Sequence, residues 1–136
     1  MNNPGIKTLG DFQITAAGTQ VGDVVDDLEG LLAIAASLRL QYGSGGTTIK
    51  AYLQTSIDQG ATWIDIACVL FATASEHACL NFSALTPKTT AVTPTDGSLT
   101  DDTAVDGVLG ERFRLKVVST GTYAGSTVLS GRICAR

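Results

Sequence analysis

The stretch Leu28-Glu29-Gly30-Leu31-Leu32-Ala33-Ile34-Ala35-Ala36-Ser37-Leu38-Arg39-Leu40-Gln41-Tyr42 decides the fold class. As a strand, it puts Leu28, Gly30, Leu32, Ile34, Ala36, Leu38, Leu40 and Tyr42 on one face. Small or polar residues then take the other, with Leu31, Ala33, Ala35, Ser37, Arg39 and Gln41. As a helix, it stripes Leu28, Leu31, Leu32, Ala35, Leu38 and Tyr42, and its Ala-Leu content has high helix propensity. The helix leaves Ile34 and Leu40 on its flanks, whereas the strand gathers every large residue after Leu31. The strand is the better reading.

Composition agrees. The 136 residues include 18 Thr, 16 Ala and 15 Gly but only four Lys and three Glu, and 16% are charged. Solvated helical bundles build their outer faces from Glu, Lys and Arg; Thr and Gly suit strands joined by turns. The length suits one domain spanning 1–136 with its own core.

Strand-like segments recur on both sides of the opening stretch. Leu9 to Thr15 places Phe12 and Ile14 on one face, and residues 1–8 are expected to form an extended N-terminal arm. Val21 to Asp26 reads as an edge strand, because Asp23, Asp26 and Asp27 discourage edge pairing. Gly43-Ser44-Gly45-Gly46 is a tight turn, and no Lys-Ser or Lys-Thr follows to make it a phosphate loop. Thr47 to Ser56 alternates, with Ile49, Ala51 and Leu53 inward and Lys50, Tyr52 and Gln54 outward. Ala61 to Ala72 and a segment around Ala78–Phe82 follow. Residues 86–103 are rich in Thr, Pro, Asp and Gly and predict a long exposed loop. Val108 to Ser119 sets Phe113, Leu115 and Val117 against Arg112, Arg114 and Lys116. Ser126 to Ala135 closes the chain with Leu129 and Ile133 inward. The pattern predicts an all-β, single-domain antiparallel β-sandwich, with a jelly roll as the narrower form.

Charge and cysteine usage narrow the function classes. Nine basic and thirteen acidic residues give a net charge of −4, and no stretch concentrates Lys or Arg, which disfavours nucleic acid. No apolar run reaches the ~20 residues of a membrane span. Met1-Asn2-Asn3-Pro4-Gly5 lacks a basic patch followed by an apolar stretch, so synthesis in a cytoplasm is expected. Cys68, Cys79 and Cys134 are three buried small side chains, or one disulfide pair with a thiol left for a neighbouring subunit. Zinc bound by these thiols and His77 lacks the usual C-x2-C spacing.

Chemistry-bearing constellations are few. His77 lies two residues from Cys79, on the same side of a strand, without an evident orienting carboxylate. Asp96, Asp101, Asp102 and Asp106 crowd one loop but miss the EF-hand spacing, and read as solvated carboxylates. Tyr42, Tyr52 and Trp63 offer an aromatic strip for a sugar, with Tyr52 and Trp63 as the glycan contacts of a carbohydrate-binding alternative. No catalytic residue, metal or cofactor is expected.

Ser56-Ile57-Asp58-Gln59-Gly60-Ala61-Thr62-Trp63 satisfies S-x-D-x-G-x-T-W. It resembles the Asp-box, a hairpin motif repeated in sialidase propellers and found singly in other β proteins. That resemblance implies structural roles for Ser56, Asp58, Gly60, Thr62 and Trp63, away from any catalytic centre. One copy in 136 residues excludes a propeller.

Longer blocks carry a second resemblance. They are Tyr42-Gly43-Ser44-Gly45-Gly46-Thr47-Thr48, Ala51-Tyr52-Leu53-Gln54-Thr55-Ser56 and Gly60-Ala61-Thr62-Trp63-Ile64-Asp65-Ile66-Ala67, with Asp106-Gly107-Val108-Leu109-Gly110 and Gly121-Thr122-Tyr123-Ala124-Gly125-Ser126-Thr127. Over approximately residues 28–135 the pattern is similar to small structural (virion) proteins of tailed bacteriophages and prophages. The resemblance implies a non-enzymatic part that decorates the capsid or belongs to the head–tail neck or fibres. It implies synthesis in the bacterial host cytoplasm, residence in the virion, and contacts with copies of itself and with major capsid or neck proteins. Low charge fits a surface covered by other subunits, and the odd cysteine fits intersubunit disulfides formed after release.

Overall fold

A computed structural model describes residues 4–136. Its strands are β1 (Gly5–Gln13), β2 (Gly18–Val21), β3 (Ala33–Gln41), β4 (Ser44–Gly45), β5 (Thr48–Ser56), β6 (Ile64–Phe71), β7 (Glu76–Ser83), β8 (Thr103–Ala104), β9 (Arg112–Thr120), β10 (Tyr123–Ala124) and β11 (Val128–Ala135). Every pairing is antiparallel. One sheet, A, runs β1-β11-β3-β7; the other, B, runs β2-β9-β5-β6-β8; β10 and β4 form a small ribbon. The chain is an all-β sandwich, as its alternation predicts.

Within the strands the inward faces are those the period-2 pattern assigns, but ahead of β3 Leu32, read as inward, is exposed and Leu31, read as outward, is buried. Ile34, Ala36, Leu38 and Leu40 of β3 and Leu129 and Ile133 of β11 bury against Ile49 and Leu53 of β5, Phe71 of β6, and Phe113, Leu115 and Val117 of β9. Each of these side chains other than Ala36 contributes roughly 1.5–3 kcal/mol on leaving water.

Several boundaries differ from expectation: the strand expected from Val108 begins only at Arg112 and that from Ala61 only at Ile64, and three further differences have local causes. The stretch 28–42 is a strand only from Ala33. Asp27 (φ 59°) and Gly30 (φ 78°) are left-handed and break the extension, so Leu28 and Leu31 fill the core from a turn. The expected arm fares similarly: Gly5 to Thr8 already belong to β1, opposite Arg132 to Ala135, while residues 1–3 lie outside the described residues. A bulge between Thr8 and Gly10 hides this strand from a periodicity reading. It turns both Leu9 and Phe12 inward although their spacing is odd. The expected edge strand at 21–26 is instead β2 at Gly18–Val21, with Val25 making a lone bridge to Phe113.

The two glycine-rich turns that carried the phage resemblance meet in space. Ser44–Gly45 pairs with Tyr123–Ala124, and the buried Tyr123 ring lies so close over Gly46 that a Cβ there would sit 2.2 Å from it. The Tyr123 hydroxyl donates to the Ala72 carbonyl at 3.0 Å, and Tyr42 meets the ring edge-on. The glycines close one end of the sandwich.

Candidate functional site

The outward faces of the two sheets have different fates. On sheet B, Tyr52, Gln54 and Ser56 point away from the core yet are buried: the 86–103 loop lies over Tyr52 and Gln54, and the 58–60 turn and Gly110 enclose Ser56. Its anchor is Asp65, 2% exposed in an otherwise apolar strand. Its carboxylate accepts from the backbone N–H of Gly97, Ser98 and Leu99, from the Thr95 hydroxyl and from the Gln54 amide. Such bonds to a charged acceptor are each worth ~1.5–3 kcal/mol.

The loop carboxylates expected to be solvated are largely tethers. Asp96 accepts from Gln54 at 2.7 Å and ion-pairs with Arg114 at 3.3 Å and Lys116 at 3.2 Å. Burial would push the Asp96 carboxyl up, but Gln54, Lys116 and Arg114 outweigh it and hold the carboxyl below its ordinary value. Asp101 pairs with Lys50 at 3.1 Å, Asp102 accepts from the Leu70 N–H, and Asp106 accepts from the Ser83 N–H and the Thr86 hydroxyl. Those Ser83 and Thr86 bonds lower the Asp106 carboxyl. The Arg112-Arg114-Lys116 face is thus largely neutralised from within.

The Asp-box-like hairpin joins β5 to β6. Asp58 Oδ1 accepts from the Thr62 N–H at 2.7 Å and the Ser56 hydroxyl at 3.0 Å, while Ser56 Oγ accepts from the Gly60 N–H. The Thr62 N–H does most to lower the Asp58 carboxyl. Gln59 and Gly60 supply the left-handed turn. Trp63 lies under the Arg114 guanidinium, 4.2 Å from the ring centroid. The glycan strip is corrected here: Tyr52 is 4% exposed beneath the loop, and one face of Trp63 is taken.

The outer face of sheet A carries no such cover. Ser37, Arg39, His77, Ser130 and Arg132 line a concavity of about 270 Å³. Beside it Ile6, Ala35, Cys79 and Cys134 line an apolar one of about 300 Å³. Arg132 lies 3.8 Å from Asp11, with both groups about half exposed, a pair worth little in water. Among the described residues Arg39 has no ion-pair partner. His77 Nε2 shares a 2.6 Å hydrogen bond with Ser37 Oγ and lies 3.6 Å from Cys79 Sγ. The Cys–His juxtaposition read from the sequence is therefore present. Ser37, a neutral hydroxyl, holds the nitrogen that would take the thiol proton.

An intrachain disulfide is excluded: all three cysteines are free thiols. Cys68 is buried on sheet B, its thiol pushed up to about 11 chiefly by burial and then by the nearby Asp101 carboxylate. Cys79 and Cys134 share the outer face of sheet A, but Ser37 opposes Cys79 and Ala35 opposes Cys134 on the intervening strand. Two strand spacings of about 4.8 Å exceed the reach of a disulfide, about 7 Å between Cα atoms. The same separation rules out the three-thiol zinc site. Among the described residues no group of three or more His, Cys, Asp or Glu is arranged to hold a metal.

The Asp65 anchor is the residue that periodicity missed. Its one sequence signal was a carboxylate alone in the run Ile64-Asp65-Ile66-Ala67-Cys68-Val69-Leu70-Phe71. Such a residue must be paired if the strand is buried on both faces. No family model and no curated protein matches this chain.

Proposed function

We propose that this chain is a non-enzymatic structural subunit of a bacteriophage particle, decorating the capsid or forming part of the neck or fibres through repeated subunit contacts. The observation that carries the proposal is the inequality of its two outer faces. Sheet B is closed by the chain's own loop. Sheet A leaves an arginine-bearing concavity and an apolar shelf side by side, the mixed surface of a protein contact.

The finer fold fits as well. Taken in chain order, the eight strands of four or more residues fall first-eighth-third-sixth in sheet A and second-seventh-fourth-fifth in sheet B. That order supports reading the sandwich as a jelly roll, an architecture used by viral capsid and lectin domains alike. Fold analogy alone does not choose between them. The cationic and aliphatic lining of the open face, which offers no Trp, Tyr or Phe ring for a sugar to stack on, favours the first.

The test is quantitative mass spectrometry of particles induced from the host carrying this gene. Copies in the hundreds mean decoration and about a dozen mean a neck ring. Absence from purified particles overturns the reading.

A further inference from the structure

Four long or short strands edge the two sheets, and three of them carry a device against pairing. In sheet B, β2 has four residues and runs into Asp23, Asp26 and Asp27, and β8 has two. In sheet A, β1 carries Lys7, Asp11 and the bulge at Thr8/Gly10. The fourth, β7, is eight residues long with no bulge, proline, lysine or arginine. Exposed straight edges of this kind template further strands.

The hydrogen-bond phase of β7 tells which backbone groups are free. Ala84 N–H donates to the Leu32 carbonyl, and these two residues continue the β3–β7 register. In an antiparallel ladder, bonded pairs recur every second residue. Ala78, Leu80 and Phe82 therefore bond β3, while His77, Cys79, Asn81 and Ser83 turn their N–H and C=O outward. Ser83 confirms the phase, since its N–H goes to Asp106 Oδ1 at 2.7 Å. The open row is thus His77, Cys79 and Asn81, all exposed and centred on Cys79.

We propose that β7 pairs antiparallel with β7 of a second copy about a two-fold axis at Cys79, joining two A sheets into one continuous sheet. In that register Cys79 faces Cys79, and His77 faces Asn81, so every free backbone group in the row meets a complementary one. On the core side Ala78 faces Leu80 of the other copy. Both are half-buried in one chain, and the small side chain makes room for the large one. No like charges come opposite each other, as Glu76 falls against Phe82. An isologous contact must be self-complementary in this way. The choice of a second copy as occupant deepens the assembly reading above and rests on it.

The experiment uses the whole chain. Light scattering at tens of micromolar is expected to give twice the chain mass. Diamide, which takes the two protons and two electrons released, is expected to join two chains through one Cys79–Cys79 disulfide. Facing residues of a bonded pair lie about 5.5 Å apart at Cα, within disulfide range. Cys79→Ser should keep the doubled mass and lose the cross-link; Cys134→Ser should keep both. Cys79→Pro removes the central outward N–H without touching the bonds to β3, and should give a folded monomer. If Cys79→Pro unfolds, Ala78→Lys supplies the same test by replacing the facing apolar pair. A monomeric wild type, a dimer that survives Ala78→Lys or a folded Cys79→Pro, or a cross-link through Cys134 overturns the proposal. So does a monomer that instead takes up a foreign strand peptide. None of these outcomes alters the copy number per particle, on which the virion reading stands separately.

Discussion

Both carboxylate oxygens of Asp65 accept the Gly97 N–H, at 3.0 and 2.8 Å, and bind the long loop to the start of β6 in sheet B. Removing this buried acceptor leaves the part-buried N–H groups of Gly97, Ser98 and Leu99 without it and takes one of the two acceptors of the Gln54 amide. Asp65→Ala should therefore cost about 3–5 kcal/mol, the range for leaving one partner of a buried charged network unpaired. Thermal unfolding monitored by circular dichroism checks it. A loss under about 1 kcal/mol would show that the loop holds itself.

Acid should loosen the loop before it unfolds the sandwich. Asp96 and Asp106 are held below the ordinary carboxylate value, so the native state binds fewer protons than the unfolded chain. Their contribution is present above the unfolded value of about 4 and is lost as pH falls through the folded values. Trp63, the single tryptophan, stacks on Arg114 within the Asp96 network, so its fluorescence should report a transition below about pH 4. Asp96→Asn should flatten that transition and reduce its salt dependence.

Gly110 should tolerate no side chain. A Cβ there would lie 1.8 Å from the Ser56 carbonyl oxygen, and the Gly110 N–H donates to Thr55 Oγ1 at 2.8 Å. Relief requires the loop end to leave β5. Gly110→Ala is expected to cost about 2 kcal/mol or more, read from urea midpoints, whereas Gly5→Ala meets no atom and differs only in backbone strain.

The thiols should react in a fixed order. Thiolate is the nucleophile, and Cys68 is both buried and pushed up to about 11. Iodoacetamide at pH 8, followed by intact mass, should modify exposed Cys79 first and half-buried Cys134 next. Cys68 should label only in denaturant. Early modification of Cys68 would mean that the covering loop opens readily.

The sandwich was legible because its inner faces obey strict alternation. Phe113, Leu115 and Val117, or Ile34, Leu38 and Leu40, announce their sheet without any tertiary information. What alternation cannot report is a second cover. Tyr52 and Gln54 read as outward, which is true of their direction and false of their exposure, because the segment that buries them lies some forty residues away. The Leu9–Phe12 pair was obscured for a local reason, a bulge that breaks the count. Asp27 misled too: a left-handed non-glycine residue gives no warning in composition.

The tethers of the loop also mark where it is not held. Thr86 is tied to Asp106 and Thr95 to Asp65, while between them, among the described residues, 87–94 make no hydrogen bond to either sheet. Foreign sequence spliced at Ala91–Thr93 would leave both anchors and the core untouched. It would emerge from the loop that covers sheet B and leave the lining of the open face of sheet A unchanged. The molecule is thus a ready carrier for peptide display, with its cargo held by a loop that the open face of sheet A does not use.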